Sequence, residues 1–94
     1  MHFVYIIYSA ELDSYYIGET SDLPLRIQWH TQKEFPSSFT AKATDWKLFY
    51  QIECNDIIQA RKIEKHLKAM KSRKYLENLK TYPEISQKLL DRFK

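Results

Sequence analysis

One glycine, one cysteine and three prolines are spread over 94 residues. A single glycine cannot build a glycine-rich phosphate loop, which argues against nucleoside-triphosphate hydrolysis and dinucleotide binding. A single cysteine, Cys54, rules out an internal disulfide and a cysteine–histidine zinc pattern. It also points to a reducing compartment, the cytoplasm. No apolar run approaches a membrane span, and Met1-His2-Phe3-Val4-Tyr5 lacks the basic and long apolar regions of a signal peptide. With no internal repeat and no low-complexity linker, residues 1–94 read as one domain.

What is present is unevenly placed. Aromatic residues make up 15% of the chain, and four of the seven tyrosines fall between Val4 and Thr20. That segment, VYIIYSAELDSYYIGET, also holds the only glycine, Gly18. Two readings of Gly18 stay open on local sequence: a turn or strand-end glycine, or bare backbone approached closely by another group such as a phosphate. Charge is uneven too. Residues 61–74, RKIEKHLKAMKSRK, hold seven Lys/Arg and one Glu, a local net of +6 against −3 for the rest of the chain. A concentrated basic helix is what a phosphate backbone would meet.

Periodicity predicts the order of elements. Phe3 to Tyr8 reads as a strand apolar on both faces, hence central or well covered, with Tyr5 and Ile7 on one side and Val4, Ile6 and Tyr8 on the other. SAELDS turns the chain into a short strand from Tyr15 to Gly18. Thr20-Ser21-Asp22 caps a helix that runs to about Gln32. Leu23, Ile27 and His30 share one of its faces, with Arg26 at the edge and Leu25 and Trp29 on another side. KEFPSSFTAKATD reads as a loop. Trp46 to Cys54 reads as a third strand, and Asn55 or Asp56 as the cap of a helix from Ile57 to about Met70. Its apolar face is Ile57, Ala60, Ile63, Leu67 and Met70. Ser72 starts a shorter helix, Tyr82-Pro83 breaks it, and a last amphipathic helix carries Ile85, Leu89, Leu90 and Phe93. The expected fold class is α+β: a small three-stranded antiparallel sheet flanked by helices, in the order β-β-α-β-α-α-α.

Several residues could carry chemistry. Arg26 and His30 are neighbours one helical turn apart. Arg26 could clamp a phosphoryl oxygen through its planar fork or be a solvated surface arginine. His30 could donate to phosphate or to a tyrosine, or be a structural histidine. Glu64 lies beside Ala60 and Ile63 at the edge of a buried face. It is either an i,i+4 partner of Lys68 or a Mg²⁺ ligand in a site that keeps several waters and takes its other oxygens from substrate. Tyr5 and Tyr16 could be buried strand tyrosines or proton-handling groups, and a free phenol pKa of roughly 10 resists base catalysis at neutral pH. Trp29, Phe35, Phe39 and Tyr75 could stack on exposed bases or pack in the core.

Taken in order, these residues resemble the GIY-YIG nuclease superfamily, and within it the small stand-alone domains related to the catalytic domain of the UvrC repair nuclease. "VYI" at Val4 to Ile6 is similar to the first half of the motif, and "YIG" at Tyr16 to Gly18 is its second half intact. Thr20, then DLPLRIQWH with Arg26 and His30, resembles the segment that follows, and ARKIEKHLKAMKSRK from Ala60 to Lys74 resembles the acidic-residue helix and basic tail. Departures are Phe3 in place of the first half-motif's glycine, Thr31 in place of a usual asparagine, and Pro24 and Leu25 where charged residues are common.

The resemblance implies metal-dependent hydrolysis of a nucleic-acid phosphodiester, usually DNA, with RNA left open. It implies Tyr5 as general base or positioner of the attacking water, Tyr16 in support, Arg26 on the scissile phosphate, His30 at a functional position and Glu64 on a single Mg²⁺, with Mn²⁺ as substitute. Gly18, Lys68, Lys71, Arg73 and Lys74 are the expected nucleic-acid contacts. The small size suggests selectivity for shape (nick, flap, branch or single strand) in a bacterial cytoplasmic protein, a monomer or weak homodimer. Two other readings compete: a nucleic-acid-binding module of weak or lost activity, and a protein-interaction module using Leu25, Trp29 and the last helix.

Overall fold

The computed structural model describes residues 1–31 and 42–94, apart from the Thr31 side chain. Gln32, the expected end of the first helix, and most of the expected loop, with Phe35 and Phe39, lie outside the described residues. The elements are β1 (His2–Ser9), β2 (Ser14–Thr20), α1 (Leu23–Thr31), β3 (Lys47–Cys54), α2 (Ile57–Met70), α3 (Arg73–Thr81) and α4 (Glu84–Arg92). The three strands form one antiparallel sheet in the order β2-β1-β3, so the α+β class and the order of elements hold.

β1 is the central strand, and Val4 through Ile7 are all buried. That is why its sequence shows no polar alternation: each face is covered by a different layer. Val4 and Ile6 join Ile52, Ala60, Ile63, Leu67, Leu76, Leu79 and Leu89 in the larger core, under α2, α3 and α4. Tyr5 and Ile7 face the other way, into a smaller core with Leu23, Ala43 and Trp46. β2 is longer than its sequence suggests, and the hairpin loop correspondingly shorter. Asp13 closes it with a left-handed backbone (φ 48°) and accepts a 2.5 Å hydrogen bond from the Tyr8 hydroxyl. β3 begins at Lys47 rather than Trp46, and Trp46 is buried in the smaller core. The register of β3 skips one residue opposite Ile6 and Ile7, a bulge at Phe49.

Local caps set the helices. Thr20 Oγ1 accepts from the Asp22 amide at 3.1 Å, and Asp22 Oδ1 accepts from Leu25 N at 3.2 Å, which starts α1 directly after β2. Asp56 caps α2 through Gln59 N at 2.8 Å, and Ser72 caps α3 through Tyr75 N at 3.1 Å. On α2 the buried apolar residues are Ala60, Ile63 and Leu67, whereas Ile57 and Met70 are exposed. The latter two occupy the helix ends, past the part that crosses the sheet, so the stripe read from sequence is longer than the buried one. Gln59 is buried instead, accepting from Asn55 N at 2.7 Å and donating to the Leu90 carbonyl at 3.0 Å, which ties α2 to α4. Lys71 ends α2 in the left-handed region (φ 48°, ψ 40°) and turns the chain into α3.

Candidate active site

The β1–β2 register sets Tyr5 directly across from Gly18 and Ile7 across from Tyr16. All four face α1. The Tyr5 ring lies over Gly18. A β-carbon at Gly18 would sit 2.4 Å from the Tyr5 hydroxyl oxygen and 2.5 Å from Cζ. Gly18 does not have a positive φ, so conformational freedom is not its reason. The strand needs glycine there because any side chain would occupy the space of the phenol.

α1 completes this cluster. Its N-terminal cap fixes the helix so that Leu23 and His30 are buried against β1. His30 Nε2 and the Tyr5 hydroxyl are 2.8 Å apart, and the Tyr16 ring lies 5.1 Å from the imidazole, centroid to centroid. Tyr5, Tyr16 and His30 therefore form one polar aromatic group between sheet and helix. Arg26, one turn before His30, lies beside it. Its Cζ is 4.8 Å from the centre of the Trp29 ring, and its Nε is buried without a hydrogen-bond partner. A buried guanidinium N–H left unpaired is costly, and an incoming anion would relieve it.

The electrostatics follow from this packing. Burial holds Tyr5 well above the ordinary tyrosine pKa, and the Tyr16 phenol and the Glu64 carboxylate push the same way. Arg26 opposes them through its charge and its reach to the phenol oxygen, but burial wins. His30 is held down at about 4, first by burial and then by the Arg26 charge. At neutral pH the pair is therefore an uncharged phenol beside an uncharged imidazole.

Glu64 approaches from α2, across the other face of the sheet. Its side chain is 20% exposed and pairs with Lys68 Nζ at 3.0 Å, the i,i+4 contact seen in the sequence. After burial and the Tyr16 phenol, the Glu64 carboxylate also disfavours the ionised form of Tyr5. Among the described residues, no group of three or more His, Cys, Asp or Glu side chains could together hold a metal ion. A lone, partly open carboxylate fits a Mg²⁺ ion that retains most of its waters and takes further oxygens from a phosphate. It does not fit a site made wholly of protein ligands, such as structural zinc or a two-metal centre.

The basic residues divide. Lys71 and Lys74 are exposed, and Lys68 is shared with Glu64. Arg73 instead makes a forked pair with Asp13, at 2.8 and 3.2 Å, and lies 5.3 Å from the Tyr15 ring centre. Arg61 is 3.7 Å from Glu19, which also bonds His2. Tyr75 is half-buried against His66, and Trp29 lies under Arg26, so each of these rings already has a partner within the fold.

A groove that sequence reading missed runs along β2 to the α2–α3 junction. It has a volume of about 550 Å³ and includes Tyr15, Tyr16, Ile17, Lys68, Lys71 and Leu76 in its lining. Its only signals in the sequence were an adjacent tyrosine pair and a break between two basic helices, neither of which implies a hollow.

Residues 1–78 match the model of the GIY-YIG catalytic domain family. Comparison with curated proteins and with solved structures returned no match.

Proposed function

We propose a phosphodiester-cleaving function from one premise: the chain belongs to the GIY-YIG catalytic domain family, and that membership implies nuclease-like activity. In this reading the protein is a divalent-metal-dependent endonuclease acting on DNA, with selectivity for strand shape. The observation that carries it is the Tyr5–His30 hydrogen bond at 2.8 Å with the unpaired Arg26 Nε beside it. A proton-handling pair next to a cation with an unpaired N–H suits water attack on a phosphodiester.

The roles follow from the chemistry of each side chain. Arg26 binds a non-bridging phosphoryl oxygen and offsets the charge that grows there as water attacks. Tyr5 is a phenol at neutral pH, so it is not a resting base. It accepts a hydrogen bond from the attacking water and donates its own proton toward His30 Nε2, which requires the imidazole to be neutral with Nε2 unprotonated. The depressed His30 pKa keeps it neutral at pH 7. Tyr16 packs against the imidazole and limits its rotation. As the phosphorus–oxygen ester bond breaks, the leaving oxygen takes up a proton from solvent. Glu64 would hold Mg²⁺ or Mn²⁺, and such an ion, when bound, supplies charge neutralisation at the phosphoryl group. Lys68, Lys71 and Lys74 supply the salt-sensitive attraction to the backbone.

No helix among the described residues is long and apolar enough to cross a membrane. A cytoplasmic setting belongs to the same proposal and rests on the free, buried Cys54.

The test is cleavage of labelled duplex, single-stranded, nicked, flap and branched DNA in Mg²⁺, Mn²⁺ or EDTA, with binding measured in parallel. Cutting that needs metal and is lost in Glu64→Ala, with binding retained, supports the endonuclease. Binding without cutting on every substrate leaves a binding module, in which Glu64 serves only as the partner of Lys68.

A further inference from the structure

The groove beside β2 is not needed for the chemistry above, and its lining is not that of a phosphate track. A backbone track needs only a cationic ridge. Here a hollow of about 550 Å³ has an apolar floor, with Ile17 from β2 and Leu76 from α3, and the Tyr15 side chain in one wall. Its rim is cationic, with Lys68 and Lys71. Asp13 also lines it, but Arg73 and the Tyr8 hydroxyl already occupy that carboxylate, so an incoming phosphate meets a paired charge. Two of its lining residues touch the candidate site: Tyr16, whose ring packs on His30, and Lys68, which pairs with Glu64.

An apolar floor under a cationic rim is complementary to a nucleotide whose base is out of its stack: the base lies on the floor and its phosphate on the rim. A paired, stacked base does not present its flat face and cannot use the hollow. We propose that this groove seats one unstacked nucleotide of the substrate strand, next to the scissile phosphodiester. The proposal rests on the nuclease reading, since it takes the polyanion to be a nucleic acid cut beside Tyr5 and Arg26. It gives shape selectivity a physical origin: nicks, flaps and single strands release such a nucleotide at low cost, and matched duplex does not.

The experiment alters the DNA rather than the protein. Binding of wild-type protein is measured in EDTA, where no cutting occurs, to single-stranded and flap oligonucleotides. A single abasic site is moved one position at a time across the bound segment. The expected result is one position at which loss of the base weakens binding about tenfold, with neighbouring positions nearly neutral. A 5-iodouracil at that position should photocrosslink to Tyr15 or Tyr16, as read by mass spectrometry. Equal binding of every abasic oligonucleotide, or a crosslink that maps to Trp29 instead, overturns the groove proposal and leaves the nuclease reading intact. No binding of any oligonucleotide overturns both.

Discussion

The Tyr5 phenol occupies the space that a side chain on Gly18 would need, with 2.4 Å between the Tyr5 oxygen and a β-carbon built there. Tyr5 is 1% exposed and bonded to His30, so its ring has nowhere to retreat. Gly18→Ala should therefore destabilise the fold by about 1–3 kcal/mol through overpacking. Tyr5→Phe should not rescue it, because Cζ is also too close, at 2.5 Å. Tyr5→Val removes the ring, so Gly18→Ala should cost much less in that background. Denaturant unfolding of the three single and two double variants, analysed as coupled pairs, checks this.

Arg26 separates stability from activity. Its buried Nε has no hydrogen-bond partner, so that N–H weakens the fold rather than supporting it. Arg26→Lys keeps the charge and removes both the orphan N–H and the planar fork. The expected outcome is an unchanged or raised melting temperature with cleavage down about 10²–10³-fold. A variant that melts much earlier would place Arg26 in the scaffold instead.

His30 predicts a pH dependence. Its pKa is lowered from 6.5 to about 4 in the folded protein, so the unfolded chain binds more protons between those values. The contribution of neutral His30 to stability is full above about pH 6.5. It is lost progressively as pH falls toward 4. Asp13, held down at about 2 by Arg73 and then by Tyr8, acts in a lower window, from its ordinary 3.8 downward. His30→Gln keeps a polar partner for Tyr5 but cannot titrate. The melting temperature of wild type should fall more steeply than that of His30→Gln between pH 6.5 and 4.5. Parallel curves would mean that His30 is not held neutral by its surroundings.

The fold was largely legible because its signals are local. The unbroken apolar run Val4–Ile7 marks a strand covered on both faces, and Asp56 and Ser72 mark helix starts. The candidate site was legible only as single residues. Tyr5, Arg26 and His30 are brought together by the β1–α1 packing, and nothing in the spacing gives the Tyr5–His30 hydrogen bond. The reason for Gly18 lies across the sheet in Tyr5, a partner that local sequence cannot name. Arg73 reads from sequence as one more nucleic-acid contact of the basic run, yet it pairs with Asp13 sixty residues away in the hairpin turn. Long-range side-chain partners of this kind carry no periodic signature.

That Arg73–Asp13 pair leads to a prediction about binding. Both side chains are more than half exposed, so the pair adds little to stability. It still removes one cation from the field that the basic run presents to a polyanion. Asp13→Asn deletes the competing carboxylate, frees the Arg73 fork and raises the net charge by one. Asparagine also tolerates the left-handed backbone at that position (φ 48°), so the hairpin turn should survive. DNA affinity at low salt should rise, and the plot of log affinity against log salt should steepen by about one unit. Arg73→Ala should change the wild-type slope little, because that cation is already neutralised, whereas Lys74→Ala should flatten it by about one unit. If Arg73→Ala and Lys74→Ala lower the slope equally, the nucleic acid displaces Asp13 on binding, and Arg73 belongs among the direct phosphate contacts.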